Sequence, residues 1–266
     1  MSRVKKYRDN KNKKYTDIAV PCAVLMLLLI IWQIVCSLEL VPSYMLPSPV
    51  RVVKAFINDF SLLMQHAKTT LAEAVIGMIL GVLLGFVSAA FMDGFKIVRQ
   101  GLYPILVLTQ TIPPVAIAPL LILWFSYGMA PKVVLVVLVS YFPVAVGLLE
   151  GFQSVDTDLI YLMKSMNANK WQIFWHVKFP SALGELFSGL KIAASYSIVG
   201  AVIAEWLGGF SGLGVYMTRV KKSMSYDKMF AVIFFVSAIS LILMAVIKLL
   251  QYKLMPWKHV REDDTK

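Results

Sequence analysis

Long apolar runs separated by short polar or basic segments set the pattern of this chain. Six runs, at about 17–38, 68–91, 99–126, 131–150, 181–205 and 229–251, are long and apolar. Each approaches or exceeds the roughly 20 residues a helix needs to cross about 30 Å of hydrocarbon. The pattern predicts an all-α polytopic membrane protein with six transmembrane helices. The longest polar interruption that includes helical periodicity is 151–180. There Leu159, Leu162, Met163 and Met166 recur at i, i+3, i+4 and i+7, the spacing of an amphipathic helix. Asn167 suits the left-handed conformation that ends helices, and Asn169 with Gln172 three residues on forms a capping box for a second helix. That second helix carries Trp171, Phe174 and Trp175 on one side and is expected to stop at Pro180. The unit reads as helix, sharp turn, helix. It is open whether it lies on the bilayer surface or docks its turn into a groove on a partner protein.

Two spans have unusual grammar. The second reads Gly77-Met-Ile-Leu-Gly81-Val-Leu-Leu-Gly85, a glycine every fourth residue on one face. In lipid, helices associate where small residues let backbones approach, so this face is expected to pack on a neighbouring helix. The third carries Pro104, Pro113, Pro114 and Pro119. Proline removes a backbone donor and disturbs the preceding turn. Carbonyls left open are tolerated at membrane depth only where protein or a watery cavity covers them. Gln110, Thr111 and Pro113 at the break are therefore either parts of a simple kink or candidates to line a pathway, together with Tyr196, Ser197, Glu205 and Trp206 on the fifth span. Ser48 followed by Pro49 reads as the N-cap and first turn of a short interfacial helix with Val50, Val53, Phe56 and Ile57 on one face.

Composition agrees with this picture: 59% of the 266 residues are hydrophobic and 15% are charged. Soluble domains carry about 25% charged residues. An ordinary soluble enzyme, a disordered chain and a nucleic-acid-binding domain are excluded. The net charge of +11 is a topology signal instead, for 7 of the 26 basic residues fall in the first 14 positions. With the N-terminus in the cytoplasm, the inner segments hold 16 Lys and Arg and the outer ones 8. The positive-inside rule then places both termini in the cytoplasm. The expected organisation is a basic cytoplasmic tail at 1–16, one transmembrane domain at 17–251 containing a cytoplasmic loop at 151–180, and a cytoplasmic tail at 252–266. The run Ile18–Leu38 is too long for a signal-peptide core and lacks a small-residue cleavage site, so it is read as an uncleaved span. Cys22 and Cys36 lie in that run with no metal spacing and act as small hydrophobes.

Chemistry is sparse. Glu73, Glu185, Lys191 and Glu205 fall in or near spans, where charge is costly and usually has a function. Glu73 and Glu185 are close enough to span ends to reach water, and Lys191 can snorkel. Glu205, beside Trp206 and a glycine-rich loop, reads as a gate or an external contact. The loop Gly208-Gly-Phe-Ser-Gly-Leu-Gly214 lacks the strand and lysine of a phosphate cradle. His66, His176 and His259 are too scattered for a metal or catalytic site. No catalytic residue, metal or cofactor is expected, which counts against an intramembrane enzyme. A secondary transporter predicts broken helices in both halves, and only the third span is visibly interrupted.

The polar unit also carries a family likeness. Asn167, nine residues, then Val177-Lys178-Phe179-Pro180 resembles the second half of the cytoplasmic motif of bacterial ATP-binding-cassette importer permeases: Glu-Ala-Ala, three residues, Gly, nine residues, Ile, any residue, Leu, Pro. Tyr161-Leu162-Met163 stands where Glu-Ala-Ala is usual and Asn167 where Gly is, and Asn can meet the same backbone demand. Further segments resemble the branch that handles sulfonates, nitrate and thiamine-pyrimidine precursors: Leu46-Pro-Ser-Pro49, the Gly77/Gly81/Gly85 span, Gln110 through Phe125, Glu205-Trp-Leu-Gly208 and Gly212-Leu-Gly214. Ser126 replaces a usual Gly. The stretch from Glu205 through Arg219-Val-Lys-Lys-Ser223 to Pro256-Trp257 is most similar to pyrimidine-precursor permeases. The resemblance implies the non-catalytic subunit of a type I importer in the bacterial inner membrane. Its partners would be two cytoplasmic ATPases, a second permease chain (a homodimer), an external binding protein and membrane lipid, with no nucleic acid. It also implies that Met163, Ser165, Met166, Asn167, Ala168, Asn169, Lys170, Trp171 and Pro180 couple the permease to the ATPase.

Overall fold

The computed structural model describes residues 2–256, with side chains from 19 onward. The end of the expected tail, including Trp257 and His259, lies outside the described residues. Every regular element among the described residues is a helix. In chain order these are α1 (Ser2–Ser37), α2 (Pro49–Asn58), α3 (Phe60–Gly94), α4 (Lys96–Thr111), α5 (Pro114–Phe125), α6 (Ala130–Gln153), α7 (Thr157–Ser165), α8 (Lys170–Ile173), α9 (Phe179–Leu207), α10 (Leu213–Lys222) and α11 (Tyr226–Leu254). Among the described residues, five helical stretches are long and apolar enough to cross a membrane: Ala19–Ser37, Phe60–Gly94, Ala130–Gln153, Lys170–Leu207 and Tyr226–Leu254. A sixth crossing is possible only if α4 and α5 count as one, and they are bent by 102° at their junction. The cause is local. Ile112 and Pro113 each precede a proline, which drives a residue out of the helical region, and both are extended (φ −86°, ψ 121° and φ −61°, ψ 128°).

The chain forms two compact units: one comprises the chain up to Phe60 with Val220–Val232, the other Ser61–Arg219 with the chain from Ile233 on. In the smaller unit, Ser48 caps α2 by accepting from the Arg51 N–H, and Pro49 opens the helix. Val52 and Ala55 of α2 pack with Ala231, Trp32 and Phe230. Val50, Val53 and Ile57 stay exposed on another face, and Lys228 pairs with Asp59 at 2.8 Å.

The larger unit is built on α6, which α3 and α9 approach closely. On α3, a methyl group added at Gly77 would sit 2.5 Å from Val136 Cβ; at Gly81, 3.0 Å from Ser140 Cβ; at Gly85, 3.1 Å from Ala145 N. The contact with α9 is equally tight at Gly189, where an added Cβ would lie 2.6 Å from the Pro143 carbonyl oxygen, and at Gly151, 2.8 Å from Ala182 Cβ. Ala89, Leu106, Val144, Leu148, Phe152 and Ala193 form the main apolar core. Leu121, Leu135 and Ala204 join α5 to the bundle. After α5 the chain turns at Ser126 with φ 63° and ψ −179°, a region that essentially only glycine occupies without strain.

Pro180 does not end a helix. The chain runs helically from Lys170 through to Leu207 because Phe174–Lys178 forms a π-turn, with the Phe179 N–H bonding the Phe174 carbonyl. The widened turn shifts the hydrogen-bond register just where Pro180 lacks a donor, so the proline falls in the first turn of α9 instead of breaking it.

Candidate functional site

Three arrangements in the larger unit bear on function. The first is a cavity of about 360 Å³ where α4, α5, α6 and α9 meet. The α4–α5 break contributes Thr109, Gln110, Ile112 and Pro114; α5 contributes Ile117; α6 contributes Leu135, Leu138 and Val139; and α9 contributes Tyr196, Val199, Gly200 and Ile203. Its polar groups are the Gln110 amide and the Thr109 and Tyr196 hydroxyls. The Thr109 hydroxyl donates to the Leu106 carbonyl of its own helix at 2.7 Å. The smaller unit holds a separate cavity of about 440 Å³ beside Arg51, Lys54 and Lys228.

The second arrangement is the hairpin of α7 and α8. Asp156 caps α7, and Asn169 and Gln172 form a reciprocal capping box, with both bonds at 2.8 Å. Asn167 adopts φ 60°, and the Ala168 N–H bonds the Met163 carbonyl at 3.0 Å, closing the turn. No residue of α7 is buried, so its Leu159 and Leu162 are exposed along with Met166 and Trp171. Behind the turn, Trp171, Phe174, Trp175 and Phe179 stack in series at 5.2–6.5 Å. Lys178 holds both carboxylate oxygens of Asp93 at 2.7 and 2.8 Å, tying the hairpin's base to the end of α3.

The third is a buried polar network around the glycine-rich loop. Three successive backbone N–H groups at the start of α10 point into it. Gly212 donates to His66 Nδ1 (3.0 Å), Leu213 to Thr70 Oγ1 (2.8 Å) and Gly214 to Glu205 Oε2 (2.6 Å). Thr70 in turn donates to Glu205 Oε1 at 2.7 Å. The first-turn donors of α10 are thus satisfied by side chains of α3 and α9, and the Glu205 carboxylate meets the positive end of a helix dipole. Next to it, Lys132 of α6 pairs with Glu73 at 2.7 Å, their side chains 5% and 2% exposed.

The sequence-derived candidates divide among these sites. Gln110 and Tyr196 line the cavity, with Thr111 and Pro113 at its broken edge. Ser197 is buried with its hydroxyl donating to Ala194, and Glu205 is buried in the loop network, so neither borders the cavity. Trp206 is exposed. Glu73 does not reach water, because α6 brings Lys132 against it and closes over both groups.

Residues 77–256 match the family described as "Binding-protein-dependent transport system inner membrane component". The chain belongs to this family. It is 40% identical over 84% of its length, and 91% of the other chain, to a "Probable ABC transporter permease protein" of Haemophilus influenzae. It is 36% identical over 90% of its length, and 95% of the other, to the "Formylaminopyrimidine transport permease protein ThiX" of Halalkalibacterium halodurans. Its fold is similar to a chain of the inward-facing MetNI methionine ABC transporter, with a TM-score of 0.61, 19% identity, and 75% of this chain and 97% of that one covered.

As an inner-membrane permease of this family, the protein is the non-catalytic, membrane-spanning component of an importer that also uses an ATPase and a binding protein. That sets aside the ATP-independent transporter and the intramembrane enzyme. Two features of the permease were missed in the sequence. Lys132 stands at the edge of a loop in the sequence, where nothing local links it to a glutamate 59 positions earlier. The pair Gly147 and Gly151 on α6, facing α9 at Glu185 and Ala182, was a readable signal, the same four-residue glycine spacing that marks α3.

Proposed function

We propose that this permease couples to its ATPase through the 158–178 hairpin, works as a homodimer, and lines its pathway with the cavity at the α4–α5 break. The hairpin carries the coupling proposal. Its turn is conformationally fixed by the capping box and by Asn167 at φ 60°, its apolar residues are exposed, and its second helix runs without interruption into α9. A rigid element shared by docking surface and span is what allosteric coupling needs, because both sites then bias one equilibrium. Met163, Ser165, Met166, Ala168, Asn169, Lys170 and Trp171 are the contact candidates, with Pro180 at the junction to α9. One chain offers few spans for a pore, and closed two-fold pairs are the commonest assembly. The 16-to-8 bias of basic residues supports cytoplasmic termini and a cytoplasmic hairpin.

On substrate, the similarity to a formylaminopyrimidine permease at 36% identity supports a thiamine-pyrimidine precursor ahead of a sulfonate or nitrate. The coupling test is co-purification. The permease, expressed with the ATPase encoded beside it, is expected to carry the ATPase through solubilisation. Ala168→Arg, which places a bulky charge at the turn, is expected to release it. Retention of the ATPase by that variant would sink the docking role of the hairpin.

A further inference from the structure

The cavity of the smaller unit has no part in the pathway or the hairpin, and its lining is predominantly basic. Arg51, Lys54 and Lys228 line it as cations, against one acid, Asp227. Lys228 is already paired with Asp59 at 2.8 Å. Arg51 and Lys54 are exposed and enter no ion pair among the described residues. They are three positions apart on α2 and so share one face of it. Tyr44 lines the same space, and a tyrosine hydroxyl can donate to an anion.

The ends of two spans set the depth of this cavity. Ser43 and Tyr44 follow the span Ala19–Ser37, while Tyr226, Asp227 and Lys228 open the span Tyr226–Leu254. Trp32 lies five residues before the first end and Phe230 four residues past the second, and their rings meet at 5.8 Å. At about 1.5 Å per residue the two ends are nearly level. The cavity therefore lies where hydrocarbon gives way to headgroups. Between these ends runs α2, whose ten residues are too few to cross. It turns Val52 and Ala55 into the protein and leaves Val50, Val53 and Ile57 exposed as an apolar stripe beside Arg51 and Lys54. A helix of this kind sinks its apolar stripe among acyl chains, which holds the neighbouring basic stripe at the level of the phosphates.

We infer that this cavity seats the headgroup of an anionic phospholipid, with Arg51 and Lys54 on the phosphate and the acyl chains along Val50, Val53 and Ile57. A free phosphate would satisfy the cations and leave the apolar stripe without a role. An acidic protein surface would match the charge but not an apolar stripe at acyl-chain level. The sign also selects among lipids. With Lys228 paired, Arg51 and Lys54 outweigh Asp227, so a headgroup of net negative charge is favoured over a zwitterionic one.

The test titrates the full-length permease in detergent, at low salt, with radiolabelled dimyristoyl phosphatidylglycerol, dimyristoyl phosphatidylcholine and inorganic phosphate. Phosphatidylglycerol is expected to bind at least about tenfold more tightly than the other two, since each basic group near a headgroup contributes about fivefold. Arg51→Gln with Lys54→Gln should remove that advantage. Lys221→Gln with Lys222→Gln deletes two exposed lysines of the same unit that do not line the cavity, and should change lipid affinity by less than about twofold. Val50→Ser with Val53→Ser should weaken the lipid about fivefold and leave phosphate unaffected. All these positions are exposed, and the unfolding midpoint checks that each variant keeps its fold. Equal affinity for the two lipids, or equal losses from the two cation pairs, would reduce the effect to diffuse surface charge and overturn the inference. Phosphate bound as tightly as phosphatidylglycerol, with no effect of the valine changes, would make this a free-anion site instead. An Arg51/Lys54 variant that keeps its lipid but no longer captures the binding protein would assign the cations to that partner, and would overturn the inference equally.

Discussion

The two ends of the α3–α6–α9 bundle solve opposite problems. At the loop end, Gly208–Gly214 and the start of α10 are fastened by side chains from three other helices. The groups involved, Glu73, Lys132, Thr70, His66 and Glu205, are all buried. At the hairpin end, no residue of α7 is buried, and the fastening comes from behind the turn, where Ile173 is buried, Phe174 and Phe179 pack on the main core and Lys178 pairs with Asp93. Buried polar networks have value only when their members are satisfied, and removing one member is costly. At the loop end each of these groups has a partner within one chain, and Glu73 Oε2 is the one oxygen among them left without a hydrogen bond. The hairpin end has a fixed backbone and an unfilled apolar surface, which is the form of an element completed by a partner.

The comparison breaks most visibly at Lys132. Lys132→Met strands the Glu73 carboxylate without its cation, at a cost of about 3–5 kcal/mol. It should appear as a clear drop in the thermal unfolding midpoint of the purified permease in detergent. Adding Glu73→Gln should restore much of the loss, because the pair removed together leaves no buried charge. A double variant no more stable than the single would mean that packing, not ion pairing, holds this end.

Next in size is the glycine contact behind both ends. Gly189→Ala drives a methyl toward the Pro143 carbonyl, 2.6 Å away, and backbone cannot step aside as a side chain tip can. A loss of about 1–3 kcal/mol is expected by overpacking, read by the same unfolding midpoint. Gly101→Ala is the matched control. Nothing lies within 4 Å of its added Cβ, so the better helix former should stabilise by up to about 1 kcal/mol. If both variants fall equally, close α6–α9 approach is not what Gly189 provides.

How much of this was legible in the sequence follows from range. The capping box at Asn169 and Gln172, the left-handed Asn167, the Ser48–Pro49 helix start and the break at Pro113–Pro114 all depend on residues within four positions of each other. Their chemistry is therefore written locally. The Glu73–Lys132 pair and the capping of α10 by Glu205 and Thr70 join positions 59, 9 and 143 apart, and no periodicity carries that information. Pro180 shows a subtler limit. Its usual meaning, a helix stop, holds only for a regular α-helical register, and the π-turn at Phe174–Lys178 changes that register. Glu205 shows the same limit of range: its position at a span end suggests a gate, whereas the fold turns it inward to the N-terminus of α10.

Smaller effects sharpen the hairpin side. Asn169→Ala removes one partner of the capping box, worth about 1 kcal/mol. The expected result is up to about fivefold weaker ATPase capture, with the permease's own unfolding midpoint nearly unchanged because the capping box lies at the exposed end of α8, away from its one buried residue, Ile173. A large fall in the midpoint would show that the hairpin is part of the bundle's stability and erase the contrast between the two ends.

The smallest and most discriminating change is at Asn167. Its φ of 60° is a conformation that costs most L-residues about 1–2 kcal/mol, glycine nothing, and asparagine an intermediate amount because its short polar side chain bonds locally. Two substitutions of similar size should therefore move ATPase capture in opposite directions. Asn167→Gly should hold it or raise it by no more than about twofold, whereas Asn167→Ala should lower it by about two- to fivefold. Side-chain recognition at this position predicts a different pattern, in which both variants lose equally because both lack the amide. The ratio of the two capture affinities thus separates a turn read by its backbone shape from one read by its side chain. Only the first agrees with a hairpin whose conformation is set before any partner arrives.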